Sequence, residues 1–183
     1  MGYTANGANL RNVPIWLGGA CISVTVNIIS GKTGYRFPFI LFGITLCTIG
    51  WSLQLSQVNP IGVRYFALYF IATGAFLQLP LCVAWLSANK IGRPQKAVAH
   101  ALQIGFGNSA NFVSANVFIS GESPRFRTGF TTGLVITLVG LVGACSMEAI
   151  IYMKNKKADE RERRGEVETK MLSNDGGRFR YTL

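Results

Sequence analysis

RYFALYFIATGAFLQLPLCVAWLSANKIGRPQKAVAHALQIGFGNSANFVSANVFIS, running from Arg64 to Ser120, is the stretch that decides the fold. Two apolar segments, about Val63 to Ala88 and about Ala97 to Ile119, flank a short loop. Each is roughly 23 to 26 residues long, and at ~1.5 Å per residue either one crosses a hydrocarbon core of ~30 Å. The loop carries Lys90, Arg93 and Lys96 within seven residues, the charge bias of a turn on the cytosolic side. The stretch reads as a transmembrane hairpin.

Further apolar segments lie outward on both sides, at about Val13 to Ile29, Phe37 to Leu55 and Phe130 to Met153. Five spans result, giving an all-α integral membrane class. The 183 residues are 49% hydrophobic and 14% charged, but the placement of the charges decides more than their number. Glu122 and Glu148 are the only acids before Met153, whereas six acids and nine of the eighteen Lys and Arg follow it. Residues 13–153 therefore form the membrane region, residues 1–12 precede it, and residues 154–183 form a mobile charged tail.

Alternating the spans across a bilayer sets the orientation. One side receives Lys32, Arg36, Lys90, Arg93, Lys96 and the nine tail residues, fourteen in all; the other receives Arg11, Arg64, Arg125 and Arg127. That excess places the tail in the cytosol and the N-terminus on the extracellular or lumenal side. It also accounts for the net charge of +10 without nucleic acid, and contact of Lys154 to Lys157 with anionic headgroups follows from the same bias.

Several chemistries are excluded by spacing. Cys21, Cys47, Cys82 and Cys145 sit in different apolar segments with no C-x-x-C pair, so neither a metal site nor a disulfide framework is signalled. Gly31-Lys32-Thr33 matches the end of a phosphate-binding loop, but the upstream glycine position holds Val26 and lies in a helix. Ser109 could be a nucleophile only with His100, the one histidine of the chain. On one helix the two point about 180° apart. No enzyme and no cofactor is expected.

Polar faces remain. His100, Gln103, Gly107, Asn111 and Ser114 fall on one side of the fourth segment within about 80° of arc, with Asn108 at the edge. Such a stripe is costly against lipid, so it lines a cavity or packs on neighbouring helices. On the third segment Gly74, Gln78, Trp85 and Asn89 share a side, and Tyr65, Tyr69, Thr73 and Pro80 another. Pro80 breaks the hydrogen-bond ladder at mid-membrane and frees a carbonyl, which a ligand could use. Trp16, Gly19, Ser23, Asn27 and Ser30 share a face of the first segment, and packing is its expected use. Pro14 and Pro38 are read as lying near helix starts. Gly133, Thr137, Gly140 and Ala144 form a small-residue stripe that suits close helix approach. Glu148 beside it is expected to snorkel toward cytosolic cations, with proton coupling as the alternative.

The order of short motifs carries a resemblance. Gly74-x3-Gln78-x-Pro80, Ala84-Trp85-Leu86-x-x-Asn89, the run from Lys96 to Ala99, Gly107-Asn108, and Ser123-Pro-Arg-Phe-x-x-Gly129 resemble the tenth and eleventh helices of fungal major facilitator superfamily transporters. The similar branch is that of the anion:cation symporters, which contains allantoate and nicotinate permeases. Lys32, Gly34 and Arg36 resemble that superfamily's D-R-x-G-R-R loop, although its Asp position holds Gly31. The resemblance extends over about Val13 to Met153 and implies helices eight to twelve of a twelve-helix fold.

What the resemblance implies is a proton-coupled symporter of the plasma membrane for a small organic anion such as nicotinate or allantoate. The stripe on the fourth segment would then lie beside the central pathway. Gln78, Trp85, His100, Gln103, Asn108 and Asn111 are the candidate substrate-binding residues. It also implies an N-terminal helical bundle as a missing partner, so this chain is expected to be a C-terminal fragment that does not transport alone. The alternative is a small helical membrane protein that binds a partner subunit and has no transport role.

Overall fold

A computed structural model of the chain describes residues 5–57, 61–89, 92–118, 120–122 and 125–164. Five helices follow in order: α1 Ala5–Thr33, α2 Phe37–Leu55, α3 Ile61–Ala88, α4 Arg93–Val117 and α5 Arg127–Arg163. A 3-10 turn, Ser120–Glu122, precedes α5. The class is all-α, with no strand among the described residues.

Local chemistry explains most boundaries. Proline stands in the first turn of α2 and of α4, where a missing N–H removes no helical bond. Gly34 and Gly92, at φ 75° and 88°, supply the left-handed backbone in the two basic turns. Pro14 departs from expectation. The helix begins at Ala5, so Pro14 lies inside α1 and not near its start. Apolar counting misses these first turns because their residues, Asn6 to Asn12, are largely polar and small.

Among the described residues, α3 is the centre of the packing, with α1 on one side and α2 on the other, and α2 also packs on α5. Ile40, Ile44, Leu77, Leu81, Trp85 and Ile151 form the buried core. The α2–α3 crossing is close because glycine makes it so. A Cβ added at Gly74 would lie 2.5 Å from the carbonyl oxygen of Gly43 and 2.5 Å from Cys47 Sγ, and one at Gly50 would lie 2.5 Å from Ile71 Cγ1. Such backbone contact replaces the hydrophobic drive that is lost in lipid. At one end of the crossing Gln54, 1% exposed, donates from Nε2 to the Arg64 carbonyl at 2.8 Å.

α1, α2, α3 and α5 are each long and apolar enough to cross a membrane. Their outer faces carry large exposed apolar side chains, such as Phe66, Leu79, Val139 and Val142, and such a surface matches lipid rather than water. α4 differs. Its 25 residues span ~37 Å, which is sufficient length. Arg93, Lys96, His100, Gln103 and four asparagines or glutamines lower its apolar content, and it buries none of its own residues.

α5 continues past Met153 to Arg163. Lys, Glu and Arg are good helix formers, and Lys156 with Glu160 sits at i and i+4. Residues 165–183, the rest of the expected tail, lie outside the described residues.

Candidate functional site

α4 does not close down on the other helices. Among the described residues, two cavities lie in the seam between α4 and the layer made by α2, α3 and α5. The larger, about 620 Å³, lies at the basic end, where α3 ends and α4 begins, and is lined by Trp85, Asn89, Gln103 and Lys154 among apolar neighbours. The smaller, about 280 Å³, lies toward the opposite end and is lined by Cys47, Gln78, Ser114 and Thr137, again among apolar neighbours. Where the hairpin between α4 and α5 closes, Phe118 stacks on Phe126 and Phe130 at centroid distances of 6.2 and 6.0 Å. The seam is thus clamped at that end.

The six candidate residues are distributed by this geometry. Trp85 and Gln103 come together on the larger cavity. Trp85 is held by its core contacts and by Phe37, 6.3 Å away between ring centroids. Gln78 lies on the smaller cavity, and its Nε2 is buried without a hydrogen-bond partner. Gln103 Oε1 is likewise buried and unpartnered. His100 bridges α4 to α3, its Nε2 lying 2.7 Å from Ser87 Oγ, while its buried Nδ1 has no partner. Asn108 and Asn111 are exposed on α4 and line neither cavity. The stripe on α4 therefore divides, with His100, Gln103 and Ser114 turned toward the other helices and Gly107, Asn108 and Asn111 turned away.

The carbonyl that Pro80 frees has an owner. Proline at position 80 cannot donate to the Phe76 carbonyl, and Ser23 of α1 donates its hydroxyl there at 2.8 Å. The ladder gap is thus filled by a neighbouring helix and is not open to a ligand. Around it the α1 face packs as its sequence suggests. Trp16 meets Phe76 edge-on at 5.4 Å, Gly19 lies under the Phe76 ring, and Asn27 turns back to the Ser23 carbonyl at 2.8 Å. Tyr65 donates to the Arg11 carbonyl at 2.7 Å and stacks on Tyr69, so that side of α3 also serves α1.

The stripe on α5 divides as well. Gly133 faces the Trp51 indole, whereas nothing lies within 4 Å of a Cβ added at Gly140, which borders the larger cavity. One oxygen of Glu148, Oε2, is buried with no hydrogen-bond partner. Glu122, in the turn outside the spans, caps α5. It accepts from the Thr128 hydroxyl and, at 2.9 Å, from the Thr128 backbone N–H, and both bonds hold its carboxyl below the usual carboxylate range.

Sequence reasoning placed Ser23 on the packing face of the first segment but did not find its bond to the Phe76 carbonyl, since the sequence reveals an orphan acceptor there while no rule says which helix supplies the donor. It missed Ser87, which lies at the end of α3 while His100 lies two turns into α4, so counting along the hairpin does not pair them.

Across its whole length the chain is 28% identical to an uncharacterized transporter of Schizosaccharomyces pombe, covering 36% of that protein. It is also 28% identical, again over all of the chain, to the MFS-type transporter cnsO of Penicillium expansum, covering 38% of it. Over 142 residues, 77% of the chain, it is 30% identical to the high-affinity nicotinic acid transporter of Saccharomyces cerevisiae, covering 26% of that protein. The chain is a homologue of fungal major facilitator transporters. It spans roughly a third of the length of these relatives, between 26% and 38%. No protein-family profile matches it, and neither does any solved structure. Transport across a membrane is the function its homologues carry.

Proposed function

We propose that this chain supplies five helices of the C-terminal half of a proton-coupled symporter for a small organic anion, with nicotinate or allantoate as first candidates. The observation that carries the reading is α4, which is long enough to cross the membrane, too polar to face lipid, and uncovered on its Asn108 and Asn111 side. Polar residues at membrane depth belong beside a water-filled path or a partner. In this reading the uncovered side of α4 faces the translocation path and a second helical bundle closes it. Uncharged amides and an imidazole suit a small aromatic or ureide anion through hydrogen bonds without trapping it by charge. The relative named as a nicotinic acid transporter supports nicotinate as the first substrate to try. The basic end faces the cytosol, and the plasma membrane is the proposed location.

The test uses the full-length transporter that contains this chain, expressed in cells without their own nicotinate uptake. Gln103→Leu and Asn111→Leu are expected to lower labelled nicotinate uptake at least tenfold, about 1.4 kcal/mol, at unchanged membrane abundance. A protonophore is expected to abolish uptake by the unaltered protein, and the 183 residues alone to give none. If both variants instead lose abundance and keep uptake per molecule, the stripe packs against a partner and has no part in binding substrate.

A further inference from the structure

The larger cavity extends along α5 from Gly140 to Lys154. Those positions are ~21 Å apart along the helix axis. A single leaflet with its headgroup layer is half of the ~40–45 Å of a whole bilayer, which is the same depth. Along that depth the lining changes character. Gly140, Gly143 and Ala144 present almost no side chain, Trp85 and Ile150 give apolar walls, and Lys154 stands at the basic end. Arg93 and Lys96 open α4 at that same end, on the helix that supplies Ala99 and Gln103 to the lining. On α5, Glu148 is not part of the lining, and Asp159 and Glu160 follow Lys154 further along the helix.

We propose that this crevice is a binding site for one anionic phospholipid of the cytosolic leaflet, its phosphate beside Lys154 and one acyl chain laid over the α5 glycines toward Gly140. Charge and depth both select this occupant. A zwitterionic lipid would match the depth but not the basic mouth, and free phosphate would match the mouth but leave the apolar depth empty. A volume of about 620 Å³ lies within the ~300–1,000 Å³ range of pockets that take one organic ligand. The site sits beside the helix that the transport reading invokes, yet it rests on membrane placement alone and survives the failure of that reading.

Trp85 makes the proposal measurable. The 183-residue chain carrying Trp16→Phe and Trp51→Phe retains one tryptophan, and it is reconstituted in phosphatidylcholine vesicles containing brominated phosphatidylserine or, at equal fraction, brominated phosphatidylcholine. The serine lipid is expected to quench Trp85 with about fivefold higher apparent affinity, the equivalent of the ~1 kcal/mol that one lysine contributes near an anionic surface. Lys154→Gln is expected to remove the preference, Lys154→Arg to keep it, and Gly143→Leu to reduce quenching by both lipids; inorganic phosphate should not compete. Equal quenching by the two lipids, a preference that persists in Lys154→Gln, or displacement by phosphate overturns the proposal. Circular dichroism of each variant confirms that the helices are retained.

Discussion

The α2–α3 crossing and the seam beside α4 use the same residue types to opposite effect. In the crossing, glycines at 43, 50 and 74 bring two backbones together, and Gln54 finds a carbonyl on the facing helix. In the seam, Gly140 faces empty space, and the amides of Gln78 and Gln103 each leave one buried atom unpartnered. A small residue or an amide in a membrane helix therefore has no fixed meaning. What decides is whether the facing helix comes close enough to accept it.

The sharpest way to break this comparison is to make one substitution in both places. Gly74→Leu should prevent the α2–α3 crossing and abolish stable membrane accumulation. Gly74→Ala, with its Cβ driven against Gly43 and Cys47, should destabilise by ~1–3 kcal/mol. Gly140→Ala meets nothing within 4 Å and should be neutral or slightly stabilising, since alanine is the better helix former by up to ~1 kcal/mol. Thermal unfolding in detergent, followed by size-exclusion chromatography, measures all three. An equal loss at 74 and 140 would mean that the seam is closed.

The Pro80 gap gives the next largest effect. Ser23→Ala leaves the Phe76 carbonyl without its donor and should lower stability by ~0.6–2 kcal/mol. Pro80→Ala restores a backbone N–H to that carbonyl, so the double variant should recover most of the loss in the same unfolding assay. Failure to recover would show that Ser23 acts through packing on Phe76 and not through the hydrogen bond.

A smaller effect is expected at the closed end of the seam, where Glu122 caps α5. Its folded carboxyl is more acidic than the unfolded one because Thr128 bonds the charged form. Its contribution is therefore fully present above the unfolded value and is lost as pH falls through the lower, folded value. Unfolding temperatures of the parent and of Glu122→Gln should differ at neutral pH and converge in acid. A gap that persists below the carboxylate range would assign the difference to shape and not to charge.

The smallest change should come from Asn108→Leu with Asn111→Leu in the 183-residue chain. Both sit outside the packed layer, so unfolding should move by no more than ~0.5 kcal/mol. In the longer transporter of the proposed function the same region is where uptake is expected to fall, and that contrast separates a lining role from a packing one.

Much of the fold was legible before any coordinates. Runs of apolar residues about as long as a bilayer is thick, with Glu122 and Glu148 the only acids before Met153, specify membrane helices because no other backbone arrangement of that length satisfies its own polar groups in lipid. Basic residues on alternate loops fix which ends lie together, and Pro38 marks where one helix begins, whereas Pro14 lies inside α1. The extent of α1 was not legible, since its first turns lack the apolar signal on which span counting depends. The site was legible as a set of polar faces and no further. Periodicity places Gln103 and Asn111 on one side of α4, yet the packing turns the first toward a cavity and leaves the second outside.

By itself the sequence determined the number of helices, the apolar part of each, the ends at which charge collects and the residues that lipid would reject. Tertiary structure alone decided which rejected residues found partners. Ser23 reached the carbonyl orphaned by Pro80, and Ser87 reached His100, while Gln78 and Gln103 were left facing open volume. The physical reason is range. Hydropathy and helical propensity act along a few turns of one chain, whereas a hydrogen bond between helices exists only when two backbones approach, and that distance is set by glycines on elements far apart in sequence.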